Sequence, residues 1–140
     1  MERCLKEEEE MIADTSYFID VMRADPAAID KTKKLEADGI PIHLTSITVF
    51  ELYVGIGLSN KSTEEKTIVH SVISSTPVLA LDFESASEGG LIFSAKKKEG
   101  KAIDPEDAMI AGIVKLNHET LLTRNTGHFS GIEGVRTERY

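Results

Sequence analysis

The chain has 140 residues, a single cysteine and a formal net charge of −8. That length suits one domain with its own core, and 41% hydrophobic with 29% charged residues describes a globular chain rather than a disordered one. No apolar run is as long as a membrane span, Cys4 alone excludes an internal disulfide, and the acidic balance speaks against a general nucleic-acid binder.

Residues 1–10, with acids from Glu7 to Glu10, read as a charged extension ahead of a single domain over 11–140. They hold no hydrophobic stretch of the secretory kind, which together with the lone cysteine sets the expectation of a cytoplasmic protein. Residues 11–14 are apolar and end on an acid, as a buried parallel strand does. A helix follows, with Tyr17, Phe18, Val21 and Met22 on its apolar face and Thr15 or Ser16 as its cap. Asp25-Pro26 starts a second helix that stops at Asp38-Gly39. Residues 41–45 form the next strand. A helix from Ser46 carries Val49, Leu52, Tyr53 and Ile56 at helical spacing to about Gly57.

A further helix covers 62–75, and residues 77–81 (Pro-Val-Leu-Ala-Leu) form a third strand. Residues 83–99 have a helical pattern that Gly89-Gly90 interrupts. Asp104-Pro105 opens a helix that runs to Asn117, residues 120–123 form a fourth strand, and a short fifth lies around Val135. Strands alternating with helices predict a mostly parallel sheet covered by helices on both faces. Ligands of such sheets bind at the carboxyl ends of the strands, where strand order reverses.

Three acidic segments stand out. Asp14 ends the first strand, Glu51 lies on an otherwise apolar helix, and Asp104 and Asp107 sit in the first turn of another. Each has a plain structural use: a helix cap for Asp14, a surface side chain for Glu51, a match to the helix dipole for Asp104 and Asp107. Together they form a hard-oxygen set, because carboxylates brought into one crevice repel unless a cation such as Mg²⁺ or Mn²⁺ lies among them. The four histidines have no zinc-site spacing, and no P-loop, dinucleotide fingerprint or nucleophile elbow is present. Lys96, Lys97, Lys98 and Lys101 form the one basic cluster, a candidate phosphate-contacting rim.

In order, Asp14-Thr15-Ser16, Thr48-x-x-Glu51-Leu52-x-x-Gly55, Asp107-Ala108-Met109-Ile110-Ala111 and Thr123-Arg124-Asn125 with His128-Phe129 resemble the PIN domain. More narrowly, they resemble the VapC-type toxins of type II toxin–antitoxin pairs, over residues 11 to about 135. The resemblance implies a three-layer α/β/α sandwich around a central, mostly parallel sheet, and a Mg²⁺- or Mn²⁺-dependent endoribonuclease that forms homodimers and is blocked by a partner antitoxin. By motif, Asp14, Glu51 and Asp107 match the family's catalytic and metal-holding acids, and Asp104 is an additional acid near them. Asn125 stands where many members carry a fourth Asp, a departure that bears on a second metal position. Ser16, Arg124 and Asn125 are the candidate contacts to the RNA substrate, with Ser16 or Thr15 orienting the attacking water.

Two rival readings come from other classes. A receiver-like phosphoacceptor domain also places an Asp at a strand end, but it needs an acidic pair after the first strand and a Lys near the last. Here Asp14 is followed by Thr-Ser, and no such Lys follows Thr123. A PIN-like scaffold that binds RNA or a partner without cutting is opposed by the intact Asp14, Glu51 and Asp107.

Overall fold

A computed structural model of the chain describes residues 10–140. The charged extension expected over residues 1–10 lies outside the described residues, apart from Glu10. In chain order the elements are β1 (Met11–Ala13), α1 (Thr15–Met22), α2 (Pro26–Ala37), β2 (Ile42–Thr45), α3 (Ser46–Leu58) and α4 (Ser62–Ser74). They continue with β3 (Val78–Leu79), α5 (Phe83–Lys98), α6 (Pro105–Asn117), β4 (Thr120–Leu122), α7 (Thr126–Phe129) and β5 (Arg136–Glu138).

The strands form one sheet in the order β3-β2-β1-β4-β5, with every pairing parallel. From β1 the chain adds β2 and β3 on one side, then returns to place β4 and β5 on the other. Strand order therefore reverses between β1 and β4, and the crevice expected at that switch point lies at the ends of these two strands.

The alternation of side chains along the strands makes the three layers. Met11 and Ala13 pack with Tyr17, Phe18, Leu35, Leu52, Ile56 and Val69 of α1 to α4, whereas Ile12 packs with Ala108, Ile110 and Ile113 of α6. Leu121 and Leu122 divide between the same two clusters. Every residue of β1 is buried, as a central parallel strand covered on both faces must be.

Gly89, which interrupts the helical pattern of α5, has a packing role. A Cβ on it would stand 2.9 Å from the Ala108 carbonyl oxygen, and one on Gly112 would stand 2.4 Å from that of Ser85. The two glycines thus bring α5 and α6 into backbone contact, which seats the first turn of α6 near the sheet. The third strand is shorter than expected, two residues rather than five. The short helix α7 occupies what reads in sequence as a loop.

Candidate active site

Four of the buried polar residues gather at the carboxyl ends of the strands. Asp14, Thr45, Thr48 and Thr123 are all buried there, and Asp14 is only 5% exposed. Asp14 directly follows β1 in extended conformation and is itself the N-cap of α1, its Oδ1 accepting from the Tyr17 amide at 3.2 Å. The expectation that Thr15 or Ser16 caps this helix is thus corrected. Thr15 is already the first helical residue, so the preceding extended residue takes the cap.

The displaced hydroxyls do other work. Ser16 donates to Asp14 Oδ1 at 2.5 Å, and Thr123, one residue past β4, donates to Oδ2 at 2.5 Å. Thr15 donates to Glu51 Oε1 at 2.9 Å and lies 3.0 Å from the Thr48 hydroxyl. A hydroxyl has one proton, so with Thr15 donating to Glu51, Thr48 donates to Thr15. Thr45 caps α3 by accepting from the Thr48 amide at 3.2 Å, which fixes the turn that presents Glu51.

Asp107 lies in the first turn of α6, half-buried, with His128 Nδ1 3.3 Å from its Oδ2. Burial pushes the Asp107 carboxyl above the usual range, the nearby His128 pulls it back, and the charges of Asp104 and Asp14 raise it further. Burial likewise raises Glu51, the Thr15 hydroxyl lowers it, and Asp107, Glu106 and Asp14 raise it. The acids named from sequence therefore come from three separate segments to within each other's electric field. Among the described residues, no three His, Cys, Asp or Glu side chains already surround a single point. What the donor set offers is carboxylate oxygen under like-charge repulsion, the condition that a hard divalent cation relieves.

Asp104 occupies the N-cap position of α6 but makes no side-chain cap bond, and it is exposed. The capping role that Asp104-Pro105 implies as a helix start is not realised. Asn125 precedes α7, also without a side-chain cap bond, and its amide N–H donates to the Thr123 hydroxyl at 2.9 Å.

Arg124 has a partner that sequence reading missed. Its Nη1 donates to both oxygens of Asp20, at 3.0 and 2.9 Å, and the Tyr140 hydroxyl donates to the same carboxylate at 2.7 Å. Asp20 is 4% exposed, so this is a buried charge with its partners supplied. Burial and the carboxylate beside it hold the Tyr140 hydroxyl well above its ordinary pKa. The network ties the loop after β4 to α1, and the Arg124 amide reaches the Ser16 hydroxyl at 3.4 Å. The signal available in sequence was an Asp on a helix otherwise rich in core residues.

The chain is similar to known proteins of one family. The family model of the PIN domain matches residues 11–134. Ribonuclease VapC3 of Methanocaldococcus jannaschii is 34% identical over 102 residues, 73% of this chain and 95% of that protein. The tRNA(fMet)-specific endonuclease VapC of Shigella flexneri is 28% identical over 125 residues, 89% of this chain and 93% of that protein. Among solved structures, DNA-bound VapBC from Salmonella typhimurium superimposes with a TM-score of 0.83 at 27% identity, covering 94% of this chain and 98% of that one.

Proposed function

The chain belongs to the PIN domain family, and from that premise we propose that it is a divalent-metal-dependent endoribonuclease, the toxin of a toxin–antitoxin pair. Relatives named as ribonuclease and endonuclease, matched along most of their length, support the activity. The observation that carries the reading is the mutual repulsion of Asp14, Glu51 and Asp107, three half-buried or buried acids from distant segments at the switch point of the sheet. A receiver-like domain is set aside by the family match.

Asp14, Glu51 and Asp107 hold the ion, Mg²⁺ or Mn²⁺, with Asp104 adding charge from the exposed rim. When bound, the ion supplies Lewis-acid neutralisation of phosphate charge and a more acidic water. The protein's own part is orientation. Ser16, Thr123 and the Tyr17 amide fix the Asp14 carboxylate: Oδ1 accepts two of these bonds and Oδ2 one, so Oδ2 keeps a lone pair for the ion. Thr15 fixes one oxygen of Glu51. Asn125 offers a neutral amide to metal or substrate. Arg124, half-exposed and bound to Asp20 through Nη1, has nitrogens left for an RNA phosphate.

The antitoxin is placed in an apolar groove of about 460 Å³ between α1, α3 and α4 that reaches Glu51, so that its occupant covers the acids. Met22 lines this groove, whereas Tyr17 and Phe18 of the same apolar face are buried in the core. A second copy is placed on the exposed Val78, Phe83 and Leu91 of β3 and α5. Among the described residues no helix is long and apolar enough to cross a membrane, and the proposed compartment is the cytoplasm, where the RNA is.

The test is incubation of the purified chain with single-stranded RNA in EDTA, then with Mg²⁺ or Mn²⁺ restored. Cleavage only with the ion is expected. Equal cleavage in EDTA, or none in either condition, contradicts the reading.

A further inference from the structure

A cavity of about 470 Å³ opens beside the acids, where the end of α5, the segment of residues 99–104 and α7 meet. It shares Asp104, Asp107 and His128 with the candidate active site, so a ligand in it lies against the reacting centre. Its volume falls within the range of about 300–1,000 Å³ typical of small-ligand sites. That is room for one unstacked nucleotide.

The lining also carries the opposite charge. Lys96 and Lys101 both line the cavity. Lys96 is 8% exposed, and its ammonium donates to the Ser130 carbonyl oxygen at 2.9 Å, its one hydrogen-bond partner among the described residues. An ammonium has three donors, so two remain. Among the described residues neither Lys96 nor Lys101 forms an ion pair with a carboxylate. A buried cation without an anion is costly, and an anionic ligand offsets that cost. Glu99 also lines the cavity, but it is exposed, where water and salt screen it. Gly131, at φ +72°, lets the backbone close over Lys96, since a Cβ there would stand 3.2 Å from the ammonium.

We propose that this cavity is the subsite for the nucleotide adjoining the scissile phosphate of single-stranded RNA, with Lys96 and Lys101 meeting that nucleotide's phosphate. The inference rests on the ribonuclease reading above and adds to it the class of substrate and the residues that hold it. The chain's net charge of −8 makes such a local cationic wall necessary, because the acids alone repel RNA.

The test uses two variants that leave the acids intact. Lys101→Ala removes an exposed cation. Gly127→Leu adds bulk at the cavity wall, at a position where a Cβ meets no atom within 4 Å. Binding of a short single-stranded oligoribonucleotide is measured in EDTA, where cleavage is stopped, over a series of salt concentrations. Lys101→Ala is expected to weaken binding about tenfold and to reduce the slope of log affinity against log salt by about 0.7, the value of one single-strand phosphate contact. Gly127→Leu is expected to weaken binding with the slope unchanged. Both should raise KM, with kcat and Mn²⁺ affinity near wild type. Lys33→Ala, on an exposed lysine of α2, serves as the control for overall charge.

Wild-type binding in both variants, or equal weakening in the Lys33→Ala control, overturns the subsite while wild-type cleavage leaves the ribonuclease reading standing. Failure of the wild type to cleave RNA with Mn²⁺ overturns that reading and the subsite with it.

Discussion

Thr123 and Asp14, 109 positions apart in sequence, are joined by a hydrogen bond of 2.5 Å from the threonine hydroxyl to the carboxylate Oδ2. The bond spans the switch point, because Thr123 follows β4 and Asp14 follows the adjacent β1. The same hydroxyl accepts the Asn125 amide N–H, so one side chain orients both the central acid and the loop beside it. Thr123→Val keeps the shape and removes both bonds. The expected results are a stability loss of about 1–3 kcal/mol in chemical denaturation and a metal affinity lower by about 10–100-fold in calorimetry.

Asp107→Asn is expected to reduce cleavage far more than Asp104→Asn. Asp107 is half-buried within the field of the other acids, whereas Asp104 is exposed and forms no cap bond. For the same reason Asp104→Ala should leave stability within about 0.5 kcal/mol of wild type, as surface changes do. Single-turnover rates and melting curves on the two variants check both statements, and a reversed ranking would mean that Asp104 is the acid at the metal.

Much of the fold was legible because its signals are local. The apolar run before Asp14, the Asp25-Pro26 start, the Gly39 stop and the Asp104-Pro105 start all lie where the elements begin or end. The acids were legible through residue type and order. What sequence could not supply were contacts between distant segments. Whether Asp14 or a neighbouring hydroxyl caps α1 depends on where Glu51 sits to receive the Thr15 hydroxyl and where Thr123 sits to donate to Asp14. Arg124 looked free for phosphate because Asp20, 104 positions away, carries no mark in sequence of being its partner. Gly89 looked like a helix breaker because its use, the close approach to Ala108 of α6, belongs to another helix.

Glu51 holds its proton more tightly in the folded chain than in the unfolded one. Its ionisation therefore lowers stability as pH rises through its folded-state value, and the effect is absent below the ordinary glutamate value of about 4.3. Glu51→Gln is expected to raise the Tm of the metal-free chain at neutral pH, with the gain vanishing as pH falls below about 4. Saturating Mn²⁺ should reverse the order, since only the wild type then gains a ligand. Melting curves across pH, with and without the ion, read this directly.

Asn125 follows the threonine that holds Asp14, and in the proposed site it offers a neutral amide where hard cations favour charged oxygen. Asn125→Asp is expected to tighten Mn²⁺ binding and lower the Mn²⁺ concentration for half-maximal cleavage. Calorimetric titration of both forms decides it, and equal affinity and stoichiometry would place Asn125 away from the ion.

The central claim is that Asp14, Glu51 and Asp107 act as one metal-holding unit that cleaves RNA. The measurement that tests it most directly is the single-turnover rate of RNA cleavage at saturating Mn²⁺ for the wild type, Asp14→Asn and Glu51→Gln, each shown to be folded by its melting curve. Rapid cleavage by the wild type is expected, with a loss of about 100-fold or more in each variant, the scale of removing a group that acts on the transition state. Wild-type rates in either folded variant would contradict it.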